Sequence, residues 1–209
     1  KGEKLYFLVK VHYIKINFKY ISQLVSRSQG YNKQIEQAFE KKFNIAKAAM
    51  MSQFDAHPVT KELKGGPNSA NLSKTLPQGY GNLFSFIGFP VSYDPISPVK
   101  NLLLTTRKLK KFNNSIGKNT ITSNFTVTLP SKDAISSVSK MPWETGRSWV
   151  YGVESDISGF GYYMFKNYTL GRSKKGLQSD NKVRKGSFRP MYGGYITRIL
   201  NNFNLTLNK

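Results

Sequence analysis

Seven basic side chains lie between positions 171 and 190, in the stretch GRSKKGLQSDNKVRKGSFRP, which holds a single acidic residue, Asp180. Clustered guanidinium and ammonium groups bind phosphates and carboxylates, so this chemistry suits a nucleic-acid backbone or an acidic protein surface. The interspersed glycines and serines are typical of a segment that becomes ordered against its neighbours. The candidate residues that face a partner or DNA are Arg172, Lys174, Lys175, Lys182, Arg184, Lys185 and Arg189.

The residues suited to acid–base or metal chemistry are few and scattered. His12 and His57 are far apart, and the sequence around them offers neither a metal-ligand set nor a nucleophile for a catalytic triad. Glu154 and Asp156 form a close carboxylate pair, which would need a buried cleft to act as general acid and base. We interpret His57 as a histidine at a helix end and the pair as salt partners for basic residues. The sequence therefore predicts no catalytic, metal-binding or cofactor-binding residue, and no enzyme.

Glycines and aromatic residues raise two further kinds of site. Glycines recur between 146 and 176, but neither a following Gly-Lys-Ser/Thr nor a helix-opening G-x-G-x-x-G accompanies them, as a phosphate-binding loop requires. The aromatic run FGYYMF is suited to stacking on bases, and it is equally suited to a packed corner beside its glycines. The sequence leaves these two alternatives open.

The balance of charge is the dominant global property of the chain. The 209 residues include 32 Lys and Arg against 11 Asp and Glu, a formal net charge of +21 at pH 7. Such a surface repels itself and implies a polyanionic neighbour or many acidic protein partners. The basic residues are spread along the whole chain, without the dense tract that is typical of a nucleic-acid-binding arm.

Two absences from the sequence bear on the class of protein. The chain has no cysteine, which excludes disulfides and thiolate metal sites and fits a reducing cytoplasm or a particle assembled inside one. Its apolar runs fall well short of the roughly 20 residues that span a bilayer, so we expect no membrane partner.

The elements that must position these residues begin with a strand and a long helix. Alternating β-branched and aromatic residues predict a strand over 5–18. Apolar residues then recur at intervals of three and four over 31–56, and Pro58 is expected to stop this helix. The apolar stripe consists of Ile35, Phe39, Phe43, Ala46, Met50 and Phe54. The segment 57–81 is rich in glycine and proline, which predicts a functional loop or an arm.

The rest of the sequence predicts an alternation of short strands and helices. We expect strands at 82–89, at 119–130 and around Trp149, Tyr151 and Val153, and helices at 94–112, 131–140 and 196–203. This order predicts an α+β fold, with the long helix and further helices packed on a largely antiparallel β-sheet. The length fits a single structural domain over 1–209 with extended loops at about 57–81 and 166–195.

Several stretches together resemble the virion neck proteins of tailed bacteriophages, and the tail-completion family in particular. They are FEKKFNIAKAAMMSQFDAHPVT, NLFSFIGFPVSYDPISPV, PWETGRSWVYGVESDISGFGYYMF and the basic stretch with its continuation MYGGYITRILNNF. In that family a basic helix leads into a loop of the type Pro-x-Thr-Gly-x-Leu. Here PVTKEL carries Lys61 and Glu62 where the family has glycine. The segment NLSKTL is the alternative counterpart of the family's loop.

The resemblance, which covers about 35–203, implies a small α+β subunit without catalysis. Such subunits form a ring, hexameric or dodecameric, between the head-closure or adaptor proteins and the tail, around the DNA channel. It further implies a virion location, assembly in the host cytoplasm and non-specific proximity to DNA. In this setting we expect the basic stretch to pack on a neighbouring virion protein. The alternative is a basic ribosomal or packaging-related protein whose Lys and Arg residues contact phosphates directly.

Overall fold

The computed structural model describes residues 18–76, 81–117, 120–142, 146–154 and 194–208. Within these ranges the chain combines eight α-helices with a two-stranded antiparallel sheet, which confirms the predicted α+β class. The helices are α1 (Phe18–Arg27), α2 (Gln29–Ala56), α3 (Pro58–Lys64), α4 (Leu83–Ile87), α5 (Ile96–Leu104), α6 (Lys132–Val138), α7 (Trp149–Glu154) and α8 (Ile196–Asn208). The strands are β1 (Arg107–Ile116) and β2 (Ile121–Thr128), and a 3-10 helix covers Gly66–Asn68.

The long helix and the second strand follow their sequence patterns closely. In α2 the predicted stripe is the buried side, with Phe43, Ala46, Met50 and Phe54 excluded from solvent. In β2 half-buried and exposed residues alternate over the entire strand, as the sequence predicts. The predicted helices at 131–140 and 196–203 are confirmed as α6 and α8.

Two segments predicted to be strands are helices instead. In α4 the Asn82 side chain accepts a hydrogen bond from the Ser85 backbone N–H (2.9 Å), and Gly88 ends the helix at a φ of 81°. Every residue from 82 to 89 is buried, so the apolar pattern cannot distinguish the two kinds of element. In α7 the Ser148 hydroxyl accepts from the Tyr151 N–H (3.3 Å) and caps the helix. The strand predicted over 5–18 lies outside the described residues except for Phe18, which begins α1.

The helix predicted over 94–112 ends early, and its second half is a strand. The Lys47 Nζ atom, on α2, donates hydrogen bonds to the Leu104 carbonyl (2.7 Å) and the Thr106 carbonyl (2.8 Å). A lysine ammonium at these positions satisfies carbonyls that the end of a helix leaves without a partner. The chain therefore leaves the helix at Leu104 and enters β1 at Arg107.

The described chain divides into two compact units. The first contains residues from 18–38 and 110–125, and the second contains residues from 39–109 and 126–208. The single structural domain expected from the sequence stays a prediction. In the first unit the Asn114 Nδ2 atom donates to the Ser26 carbonyl (2.8 Å) and to the Asn32 side chain (3.3 Å), and the Ser123 hydroxyl donates to Asn114 Oδ1 (2.7 Å). This network joins α1, α2 and the hairpin.

The second unit contains an aromatic core. Phe43 on α2 meets Phe203 on α8 edge to face (centroids 6.0 Å apart), and Phe54 stacks on Tyr195 at the same distance. Trp149 on α7 is fully buried and lies edge to face with Phe89. Contacts run from α3 to α4 and α5, from α5 to α6, from α6 to α7 and from α7 to α8. Aromatic rings therefore join the long helix to the short ones, as the aromatic content of the sequence suggests.

Candidate functional site

The basic stretch predicted to face a partner lies outside the described residues. This applies to all seven candidates, Arg172, Lys174, Lys175, Lys182, Arg184, Lys185 and Arg189, and also to His12 and Asp156. The extended loop predicted at about 166–195 lies outside them as well, except for its last two residues. Of the titratable residues singled out in the sequence, His57 and Glu154 have defined surroundings.

Glu154 stabilises the start of a helix. Its Oε1 atom accepts a hydrogen bond from the Thr197 N–H (2.6 Å), and Oε2 accepts from the Thr197 hydroxyl (2.8 Å). A carboxylate at a helix N-terminus is stabilised by the unsatisfied N–H groups and the helix dipole. Glu154 therefore joins the end of α7 to the first turn of α8, a structural role that the sequence spacing did not indicate.

The segment 57–81, expected to be an extended loop, contains α3, the 3-10 helix and a buried carboxylate. Glu62 on α3 is completely buried. Its Oε2 atom accepts from the Ser73 N–H and its Oε1 atom from the Leu83 N–H, each at 2.6 Å. Two charge-assisted hydrogen bonds to the backbone hold the polar loop against α3 and orient the start of α4. Sequence reasoning missed Glu62, although its position between the apolar Val59 and Leu63 on a short helix was a signal.

A second polar cluster lies beside this carboxylate. The Thr60 and Tyr195 hydroxyl oxygens are 2.7 Å apart, and the Ser73 and Thr75 hydroxyls are also hydrogen-bonded. Burial raises the pKa of Tyr195 far above its usual value, so the phenol is neutral. The adjoining cavity, which His57 also lines, measures about 10 Å³ and is too small for a substrate. The hydroxyl groups of this cluster therefore serve as hydrogen-bond partners for one another in the protein interior.

His57 is the N-cap of α3, and its environment keeps it neutral at pH 7. Its Nδ1 atom accepts from the Val59 N–H (3.3 Å), and its ring lies 4.7 Å from the Tyr195 ring. Burial and then the nearby Arg198 guanidinium lower the pKa of His57 to about 4. The sequence placed His57 at a helix end; it lies at the start of α3, where a neutral ring nitrogen accepts a backbone hydrogen bond.

Acidification between pH 6.5 and about 4 should destabilise the protein, because unfolded chains protonate His57 in this window and folded chains do not. The stability contributed by neutral His57 is complete above pH 6.5 and is lost as the pH falls towards 4. We expect a loss of about 1–2 kcal/mol, since solvent screens the half-buried ring. Urea unfolding at pH 7.5, 5.5 and 4 measures it. His57→Asn keeps a capping oxygen without titrating and should flatten the profile; an unchanged profile in that variant would contradict the assignment.

A groove lies beside α8 in the second unit. Its volume is about 240 Å³, and its apolar wall consists of Leu129, Pro130, Ile135, Val150, Ile196 and Leu200. The Tyr151 hydroxyl, at the rim, donates to the Lys132 carbonyl (3.1 Å). Burial and then the Glu154 and Asp133 carboxylates raise the pKa of Tyr151. Lys132 also lines the groove and adds a positive charge beside the two carboxylates. We call this feature the α8 groove.

The first unit presents an apolar helix surface to solvent. On α1 the exposed fractions are 39% for Phe18, 46% for Ile21, 54% for Leu24 and 37% for Val25. The buried residue of α1 is polar, Ser22, and Gln23 and Ser26 are half-buried. A surface helix normally turns its apolar side inward, so this orientation is the reverse of the usual one. We call Phe18, Ile21, Leu24 and Val25 the α1 apolar face.

Neither metal chemistry nor a membrane crossing is indicated by the part of the chain that the structure describes. Its His, Asp and Glu side chains form no group of three that is placed to hold a metal ion. Among its helices, none has both the length and the apolar character that a bilayer span requires.

Comparison with known proteins gave no similarity on which a family assignment can rest. No family model matches the chain, and no curated protein or solved structure matches it either. The α1 apolar face and the α8 groove are therefore interpreted from their own residues.

Proposed function

We propose that this protein is a non-enzymatic structural subunit of a phage virion. In this proposal it forms a ring of six or twelve copies in the neck, between the head-closure or adaptor proteins and the tail proteins. The observation that supports it best is the α1 apolar face, because a subunit that functions alone gains nothing from exposing four large apolar side chains on one short helix. The stretches that resemble tail-completion proteins support a location in the virion.

The charge of the chain fits the same role. A net charge of +21 attracts the phosphates of DNA in a central channel without reading its sequence. The same charge opposes contact between copies, and this repulsion weakens as salt shortens the Debye length to about 10 Å at 0.1 M. Burial of apolar side chains is not weakened in this way. A ring of this protein should consequently assemble better in moderate salt than in very low salt.

The test is native mass measurement of the purified chain at 0.02, 0.15 and 0.5 M salt, with negative-stain imaging of the same samples. We expect monomers or mixed small species at the lowest salt, and a closed species of six or twelve copies as salt rises. A chain that stays monomeric at every salt concentration would contradict the ring.

The second candidate is a basic nucleic-acid-binding protein, which the net charge of +21 favours. Its salt response has the opposite sign, since a protein that neutralises several phosphates loses orders of magnitude in affinity over a few-fold rise in salt. Filter binding of DNA over the same salt series separates the two functions. Reversal of Lys174, Lys175, Arg184 and Lys185 to Glu should abolish DNA retention if phosphate binding is the function. Tight, salt-sensitive retention that this change removes would favour the second candidate.

A further inference from the structure

Two exposed features of the chain are complementary in shape, polarity and charge. We propose that the α1 apolar face of one copy docks into the α8 groove of a second copy. The proposal rests on the proposed function, since it names the surfaces through which neighbouring subunits of the ring meet. Each copy thus contributes two surfaces, its α1 apolar face to one neighbour and its α8 groove to the other.

The apolar parts of the two surfaces match in size. An apolar cavity of about 150 Å³ accepts a benzene molecule, so the groove of about 240 Å³ has room for the ring of Phe18 or for aliphatic side chains such as Leu24. Side chains at positions 21 and 25 lie one helical turn apart and extend the same surface. Burial of these side chains removes apolar surface from water, which favours the contact.

The net charges of the two surfaces differ in sign. Helix α1 carries Lys19 and Arg27, both exposed, and has no acidic residue. The α8 groove is lined by the Glu154 carboxylate and the Lys132 ammonium group, and the Asp133 carboxylate acts on Tyr151 at its rim. Two negative charges therefore face one positive charge, in a chain with only 11 acidic residues against 32 basic ones. Opposite charges across an interface favour one partner and one orientation, and like charges disfavour the others. Attraction at this place would offset part of the general repulsion between copies.

Charge also disfavours the symmetric alternative, in which α1 pairs with α1. Such a pair would bring Lys19 and Arg27 of one copy towards the same two residues of the other, without an acidic residue on either helix. Contact between two different surfaces is heterologous, and heterologous contacts generate rings when the rotation between copies closes. The proposed contact is thus of the kind that a ring requires.

Cysteine pairing tests the contact directly, because the chain has no cysteine of its own. Leu24→Cys on α1 and Asn201→Cys at the exposed rim of the groove would be made as separate proteins, one of them carrying a mass tag. After mixing at 0.15–0.5 M salt and mild oxidation, we expect the mixed disulfide to form at least fivefold faster than in a control pair. The control pairs Ile45→Cys, 59% exposed on α2, with Asn201→Cys.

A charge exchange provides the second measurement. Lys19→Glu with Arg27→Glu should reduce the yield of the mixed disulfide several-fold, and adding Asp133→Lys to the Asn201→Cys partner should restore it. Thermal melting of each variant verifies that the fold is retained. A mixed disulfide no faster than the control, or disulfides between two Leu24→Cys copies only, would overturn the proposed contact. If rings still form in that case, the proposed function stands and this contact alone is wrong; if rings are also absent, both fail.

Discussion

Replacement of Glu62 by glutamine is expected to lower the free energy of unfolding by about 2–4 kcal/mol, the combined scale of a lost charge-assisted hydrogen bond and a buried N–H without a partner. Both carboxylate oxygens accept from backbone N–H groups at 2.6 Å, one at Ser73 and one at Leu83. An amide has a single acceptor oxygen, so its NH₂ group would face one of these donors. Because Glu62 is fully buried, solvent cannot replace the lost acceptor.

Urea unfolding followed by tryptophan fluorescence measures the effect, since Trp149 belongs to the same core. Glu36→Gln, at an exposed position of α2, is the matched control and should change stability by less than about 0.5 kcal/mol. Limited proteolysis adds a local readout: the Glu62 variant should be cut between α3 and α4 well before wild type. Equal stability of the two glutamine variants would show that the carboxylate does not hold this segment.

Replacement of Phe43 by aspartate should prevent folding under native conditions. The side chain is 6% exposed and lies between the rings of Phe39 and Phe203, at centroid distances of 6.4 and 6.0 Å. A charge at this site has no partner among the surrounding rings, so its burial lowers the free energy of unfolding by several kcal/mol. The total free energy of unfolding of a typical protein is only about 5–15 kcal/mol. Soluble yield and the far-UV circular dichroism melt report the outcome.

The same helix offers a control two residues further on. Ile45 is 59% exposed, so Ile45→Asp introduces the same charge without burial and should leave the melting temperature nearly unchanged. Phe43→Leu, which keeps an apolar side chain, should fold with a modest loss of stability. If Phe43→Asp proved soluble and melted like wild type, the buried side of α2 would have to lie elsewhere.

The long helix and β2 were predictable because their patterns are local and sustained. In α2 the three-and-four spacing runs from Ile35 to Phe54, more than five turns of helix, and in β2 the alternation covers all eight residues, so neighbouring contacts cannot conceal the period. The α+β class followed from these elements. The sequence predicted more strands than the described part of the chain contains, because short apolar segments such as 83–87 and 149–154 fit a helix and a strand equally well.

Other features depend on residues that are distant in the sequence. The early end of α5 reflects hydrogen bonds from Lys47, which lies 57 residues before Leu104. The segment after α3 is held in place by Glu62, which accepts a hydrogen bond from the Leu83 N–H, 21 residues further along the chain. The windows of about 11–18 residues over which periodicity is assessed do not contain both members of such a pair. The α8 groove was likewise hidden, since its wall is drawn from three helices and from the segment that follows β2, whereas the basic stretch was found from composition alone.

The closure of the core by α8 has a consequence for synthesis on the ribosome. Gln53 on α2 and Asn202 on α8 are hydrogen-bonded partners 149 positions apart, and the rings of Phe43 and Phe203 also join these two helices. At translation rates of about 5–20 residues per second, the stripe of α2 emerges roughly 7–30 s before α8 does. During this interval the nascent chain displays Phe43 and Phe54 without their final cover. The newly made subunit is thus a natural client for chaperones that bind exposed aromatic segments.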